Sequence, residues 1–287
     1  MWRTLGLALL RLAGIMLLAG LLGGTLIRVA PGFAADERQL DSNLSSQSIQ
    51  AVRQARLSDS NIPRFYAGYL ASLVRGDLGT SQMLNQPIRD LLRERLPITL
   101  RNLALAVLLA WVMGLALAAA TQLTGSRLLT STAEGLSGTF ISTPAAVLAL
   151  VFVLLRLPPE LAAALLVFPK IYRYCHNLLR QGYDRPHVLT ALAKGAGRWR
   201  VLVWHVAPVS LPQMLALLGV SISLAIGVLL PIEAICDVSG IGQLAWQAAT
   251  GRDLPLLVNL TLVVTFLTAS ATMFSDLARK TMIRSEV

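Results

Sequence analysis

The sequence predicts an all-α, polytopic membrane protein with about six transmembrane helices. Three observations lead there. Of 287 residues 55% are hydrophobic and 14% charged, the mean hydropathy is +0.63, and the apolar residues gather into long runs. Those runs approach the roughly 20 residues that a helix needs to cross the hydrocarbon core. A helix suits them because every backbone amide in lipid must be satisfied within the segment. Lys and Arg outnumber Asp and Glu by 25 to 15, and the pI is near 10.6. In a soluble chain that balance would suggest nucleic acid. In a membrane protein basic residues gather in cytoplasmic loops because they resist translocation, so nucleic-acid binding is not expected.

The first run, LGLALLRLAGIMLLAGLLGGTLI, covers roughly residues 5–27. Arg3 gives it a basic start, and the small residues before Asp36 resemble a signal-peptide cleavage site. The apolar stretch outruns a signal core, and Arg11 lies near enough to one end to snorkel, so residues 1–29 are expected to remain as a first transmembrane helix. Residues 30–98 form an external region, polar at first and amphipathic through RFYAGYLASLVRGDLGTS. Its arginines do not conflict with the charge rule, since long loops translocate largely regardless of charge. Within it, Arg75–Asp77 matches an adhesion tripeptide, a match too short to carry a function, and is read as a turn.

Residues 99–287 hold five further helices, at roughly 99–123, 133–156, 159–179, 209–232 and 255–277. The third and fourth spans are joined by a very short external turn, Arg156–Glu160. Between Arg180 and His205 stand Arg180, Arg185, Lys194, Arg198 and Arg200 against one acid, Asp184. The tail adds Arg279, Lys280 and Arg284. Both segments therefore belong in the cytoplasm, which puts both termini inside and Glu233–Pro255 outside. Asp253 is placed to cap the sixth helix, with Pro255 in its first turn.

Few residues point to chemistry. Cys175 and Cys236 fall at opposite faces of this topology, so no disulfide is expected, and the three histidines, His176, His187 and His205, do not form a metal-ligand pattern. The chain has no G-x-x-x-x-G-K-[ST] loop to cradle phosphates, and Ser137 lacks the G-x-S-x-G setting of a nucleophile. Glu233, at the outer end of the fifth span, is a candidate for a translocation path, with the headgroup layer as the alternative. Ser221 and Ser223, like Ser210 on that span, are either path residues or contacts between packed helices. The path as a whole is expected to carry few ionisable groups.

The basic connector has a pattern of its own. Val188, Leu189, Leu192, Ala193, Ala196, Trp199, Leu202, Val203 and Val206 follow near-helical spacing, and Gly195 and Gly197 interrupt it, predicting two short helices with a bend between them. On physics alone this is either an amphipathic element on the lipid surface or a docking element for another protein. The stretch TALAKG, Thr190–Gly195, followed by HVAPVSLP, His205–Pro212, resembles the cytoplasmic coupling motif of ABC importer permeases. LIRVAPG, YLASLVRGDLGTS with QPIRDLLRERLPITL, SGIGQLAWQAATGRDLPLL and SDLARKTMIR resemble, in order, the binding-protein-dependent dipeptide, oligopeptide and nickel B-type permeases.

That resemblance implies a type I importer permease fold in a bacterial cytoplasmic (inner) membrane, with a cytoplasmic coupling segment within residues 180–208. Thr190, Ala191, Ala193, Lys194, Gly195 and Arg198 would meet a separate ATPase. The implied partners are a homologous second permease, two cytoplasmic ATPase subunits carrying ATP and Mg, an external solute-binding protein and membrane lipid. This chain would bind no cofactor itself. Its cargo would be short peptides, with nickel or other small solutes as alternatives. Three departures stand out: the glutamate-alanine-alanine opening of the motif is absent, its acidic position falling near Leu189; the external segment between the third and fourth spans is reduced to RLPPE; and the turn after the fifth span reads CDVSGIG. An ion-coupled transporter, which would place acids or broken helices at the bilayer midplane, and a degenerate permease acting as a scaffold are the alternative readings.

Overall fold

A computed structural model describes residues 2–29 and 77–285. The stretch 30–76, expected to be external, with the small residues before Asp36 and the amphipathic run up to Gly76, lies outside the described residues. The helices are α1 (Trp2–Val29), α2 (Ile88–Thr124), α3 (Arg127–Ser142), α4 (Ala145–Leu154), α5 (Pro159–Tyr183), α6 (Pro186–Ala193) and α7 (Arg198–Val201). A π turn (Leu202–Val206) follows, then α8 (Ala207–Ile235), α9 (Ile241–Thr250) and α10 (Leu254–Ser285). The described residues form no strand, only an isolated bridge between Thr80 and Pro87, so the fold is all-α.

Among the described residues three stretches are long and apolar enough to cross a membrane: Ile88–Thr124, Arg198–Ile235 and Leu254–Arg279. A fourth qualifies if α3 and α4 count as one span, but they are bent by 96°. The helix expected over 133–156 is broken by Pro144, which holds Thr143 extended at φ −81°, ψ 123° and starts α4 afresh. α5 has the length of a span but not the uniform apolarity. Phe168, Ile171, Tyr172, Cys175, Leu178, Leu179 and Gly182 bury one face, while Lys170, Arg173, Asn177 and Arg180 recur at helical spacing on the exposed one. α2 starts at Ile88 and carries Pro97 inside it, so the boundary expected at 98/99 falls within one continuous helix.

The chain divides into two compact units, residues 1–12, 95–244 and 266–287 in one, and 13–94 with 245–265 in the other. The second is organised by Asp253, which is fully buried. Its Oδ1 accepts the Leu256 amide at 3.1 Å and so caps α10, as the sequence predicts. Its Oδ2 accepts Ser81 Oγ and, at 3.1 Å, the Met83 amide, fastening the 77–87 loop to the cap. In that loop Asp77 Oδ1 accepts the Gly79 amide at 2.9 Å, the turn expected at the end of the tripeptide.

In the first unit α5 packs most extensively on α8. Small residues let helices approach where lipid offers no hydrophobic drive between them. A Cβ on Gly219 of α8 would stand 2.5 Å from Ser275 Oγ and 2.7 Å from Ala271 O of α10. Phe140 and Phe168 lock α3 to α5 edge to face, with ring centroids 5.7 Å apart.

α2 is tied to its neighbours at three depths. At one end Thr99 Oγ1 donates to Glu233 Oε2 at 2.9 Å and accepts the Ile241 amide at 2.8 Å. The same Glu233 oxygen accepts the Gly242 amide at 2.9 Å. Thr99 and Glu233 together thus satisfy the first two amides of α9. Midway, Trp111 Nε1 donates to Ser221 Oγ at 2.9 Å, which donates in turn to Leu218 O at 2.7 Å. At the other end Thr121 Oγ1 lies 2.9 Å from His176 Nδ1 on α5, with Gln122 Nε2 at 3.3 Å from the same nitrogen. At the rise of an α-helix Thr99 and Thr121 are about 33 Å apart, close to the thickness of the hydrocarbon core.

Two stability predictions follow from these buried acids. Glu233→Ala leaves two donors without an acceptor and should cost about 3 kcal/mol, with Glu233→Gln, which keeps one acceptor oxygen, costing less. Asp253→Ala removes a cap and two loop contacts and should cost about 2–4 kcal/mol. Thermal melting of the detergent-solubilised protein reads both; an unchanged midpoint in either alanine variant would show that the carboxylate does not hold its turn.

Candidate coupling site

The connector between α5 and α8 folds as an elbow. Asp184 closes α5, and Arg185, extended at φ −75° and ψ 141°, precedes Pro186, whose fixed φ and missing N–H suit the first position of α6. Val188 is the buried anchor of this short helix. Thr190 Oγ1 turns back to Pro186 O at 2.9 Å. The helix ends in a Schellman turn, with the Gly195 amide on Leu192 O at 2.9 Å and the Ala196 amide on Ala191 O at 3.2 Å. That turn needs a left-handed residue, and Gly195 supplies it at φ +82°. Gly197, extended, then starts α7. The two short helices and the glycine bend are those the sequence predicts.

The tip of the elbow is open. Thr190, Ala193, Lys194, Gly195 and Arg198 are exposed and Ala191 is half-buried, with Leu189, Trp199 and Trp204 adding exposed apolar surface. A Cβ on Gly195 or Gly197 would meet nothing within 4 Å. The base is held. Val206 sits on Gly182 of α5, where a Cβ would come within 2.6 Å of its Cγ1. Tyr183 Oη donates to Arg198 O at 3.0 Å. Burial pushes the Tyr183 hydroxyl above its ordinary pKa, opposed by the Arg198 guanidinium, so it stays protonated and able to donate. That guanidinium lies over Gly125, just past the end of α2; a Cβ there would stand 3.0, 3.5 and 3.7 Å from Nη1, Nη2 and Cζ.

The π turn between elbow and α8 was not anticipated. Its signal is Pro208, which lacks the N–H that would reach Trp204 O; the Ala207 amide bonds instead to Leu202 O, one residue further back. The three candidate path residues lie in α8, apart from the elbow. Glu233 and Ser221 are buried within the ties to α2, and Ser223 Oγ donates to Gly219 O at 3.1 Å and contacts Thr268 O at 3.4 Å. Ser210 bonds within its own helix, to Val206 O at 3.0 Å. Every one of these hydroxyls is spent on a neighbouring backbone or side chain. Cys175 and Cys236 are free thiols.

The elbow, the two long helices flanking it and α10 all fall in residues 114–285, which match the family described as "Binding-protein-dependent transport system inner membrane component". Full-length relatives agree. A Brucella suis biovar 1 (strain 1330) protein assigned as a peptide permease is 26% identical over 295 residues, covering 92% of each chain. A Brucella abortus (strain 2308) protein assigned as a peptide transport system permease is 24% identical over 289 residues, again 92% of each. The oligopeptide transport system permease protein of Escherichia coli (strain K12) is 26% identical over 261 residues, 83% of this chain and 84% of that one. With more than half of its length matched and an all-α, multi-span architecture, the chain belongs to the inner-membrane components of binding-protein-dependent transport systems, the permeases of ABC importers.

Proposed function

We propose that the chain is the non-catalytic permease subunit of an importer for short peptides, driven by ATP hydrolysis on separate subunits. The observation that carries this reading is the exposed, glycine-turned elbow at Thr190–Gly195, rooted in the helix bundle at its base. An open backbone with small side chains suits insertion into a cleft of another protein, and Lys194 with the neighbouring arginines gives the surface a charge to orient by. The same excess of basic residues puts the elbow and both termini in the cytoplasm, with α1 and α5 completing six spans and Glu233–Pro255 outside. Two cytoplasmic ATPase subunits holding ATP and Mg would dock there, a second permease would complete the path between the helices, and an external binding protein would deliver cargo. Peptides are preferred to nickel because the relatives described above carry peptide-transport names. Closure of the ATPase pair would act as a rigid-body push on the elbow, favouring one of two arrangements of the helices.

The test is co-purification of the tagged chain in mild detergent, followed by uptake of labelled tri-alanine and of nickel in cells. Wild type should bring down an ATPase and a second permease and support peptide uptake. Gly195→Glu should lose the ATPase and at least about tenfold of the uptake, a coupling loss of ordinary size. Because Gly195 is left-handed, Gly195→Asn, which tolerates that backbone, separates strain from bulk. It should retain more of both activities than Gly195→Glu. A wild-type chain that binds no ATPase would overturn the reading, and nickel uptake without peptide uptake would correct the cargo.

A further inference from the structure

The Arg198 side chain does not point where a docking residue would. Its main chain is fixed by Tyr183 Oη, and its guanidinium lies over Gly125 rather than out from the elbow. Gly125 is left-handed at φ +61°, and its amide closes the last turn of α2 on Thr121 O at 3.1 Å. The carbonyls that follow Thr121 are those a helix end leaves without intrahelical partners, and they favour a cation. The planar guanidinium fits this place because position 125 carries no side chain; any Cβ there would press on Nη1. One turn back, Thr121 makes the tie to His176, and further along the same helix are the ties of Trp111 to Ser221 and of Thr99 to Glu233.

We infer that Arg198 is a strut: seated on Gly125, it carries displacement of the elbow into α2, and is a positioning residue for the transport step rather than part of the docking face. This rests on the importer reading above. The elbow then has three mechanical outlets. The π turn runs on into α8, which carries Glu233; Val206 on Gly182 and the Tyr183 bond lead to α5; and Arg198 leads to the end of α2. Without the strut the ATPase would still bind, but the elbow would lose its direct hold on α2 and reach that helix only through α5 and α8.

The test uses the complete complex in proteoliposomes with its ATPase and external binding protein, measuring labelled tri-alanine uptake and ATP hydrolysis together. Arg198→Ala and Gly125→Asn, the latter tolerating the left-handed backbone while filling the seat, should co-purify with the ATPase as wild type does. In both, peptide moved per ATP hydrolysed should fall at least about fivefold. Arg198→Lys, a charge without the planar fork, should recover part of the loss. The double variant should be no worse than either single one, a non-additivity that two unrelated defects would not produce. A wild-type ratio in Arg198→Ala or Gly125→Asn, or additive losses, would overturn the strut. Loss of the ATPase from Arg198→Ala would return the residue to the docking face and leave the importer reading standing. Failure of wild type to bind an ATPase would remove both.

Discussion

A polar group inside a membrane protein has no water to fall back on, and the first unit is arranged around that constraint. α2 offers a hydroxyl, an indole and a second hydroxyl at three depths, and each meets a group on another element: Glu233 and the start of α9, Ser221 on α8, His176 on α5. Apolar contacts between these helices are little better than contacts with lipid tails, so hydrogen bonds and close small-residue crossings decide which faces meet. Glu233 is the strongest instance. An ionisable side chain with no exposed surface persists because Thr99 and two backbone amides of the following turn converge on it and on its partner hydroxyl. The glycines of that turn follow from the same crowding. A Cβ on Gly240 would strike the carboxylate and one on Gly242 would strike Leu230 O, so the turn tolerates no side chain at either place.

Hydropathy made the all-α class legible, because long apolar runs leave few other folds open to a chain. It failed where local backbone chemistry overrode composition. The run over 133–156 reads as one span, yet Pro144 splits it, since proline constrains the residue before it whatever the hydropathy. Along α5, Lys170, Arg173 and Arg180 share an exposed face, a pattern that hydropathy averages away and a helical projection reveals. The elbow was more transparent. Gly195 and Gly197 are locally determined features, and a Schellman turn is written in one residue type at one position. The seat of Arg198 was not legible, because it joins residues 125 and 198, and no local spacing reports a contact across that separation.

The serines and Glu233 of α8 show how a plausible path residue and a packing residue differ. From sequence both are polar positions on an apolar helix. In the structure the question becomes where each hydrogen bond goes, and the hydroxyls of Ser210, Ser221 and Ser223 end on nearby backbone carbonyls. Each of these hydroxyls is thereby satisfied inside the bundle.

The π turn at Leu202–Val206 has a geometric consequence of its own. Such a turn is an α-helix with one residue too many, and each residue of an α-helix advances its azimuth by about 100°. The direction in which the elbow projects from the α8 axis is therefore indexed by a single residue of chain length, not by the identity of its surface. Among chains of this architecture a one-residue insertion or deletion between Arg198 and Pro208 would swing the whole elbow to another bearing with every side chain on it unchanged, so length at this point is as much a part of the elbow's specification as its sequence.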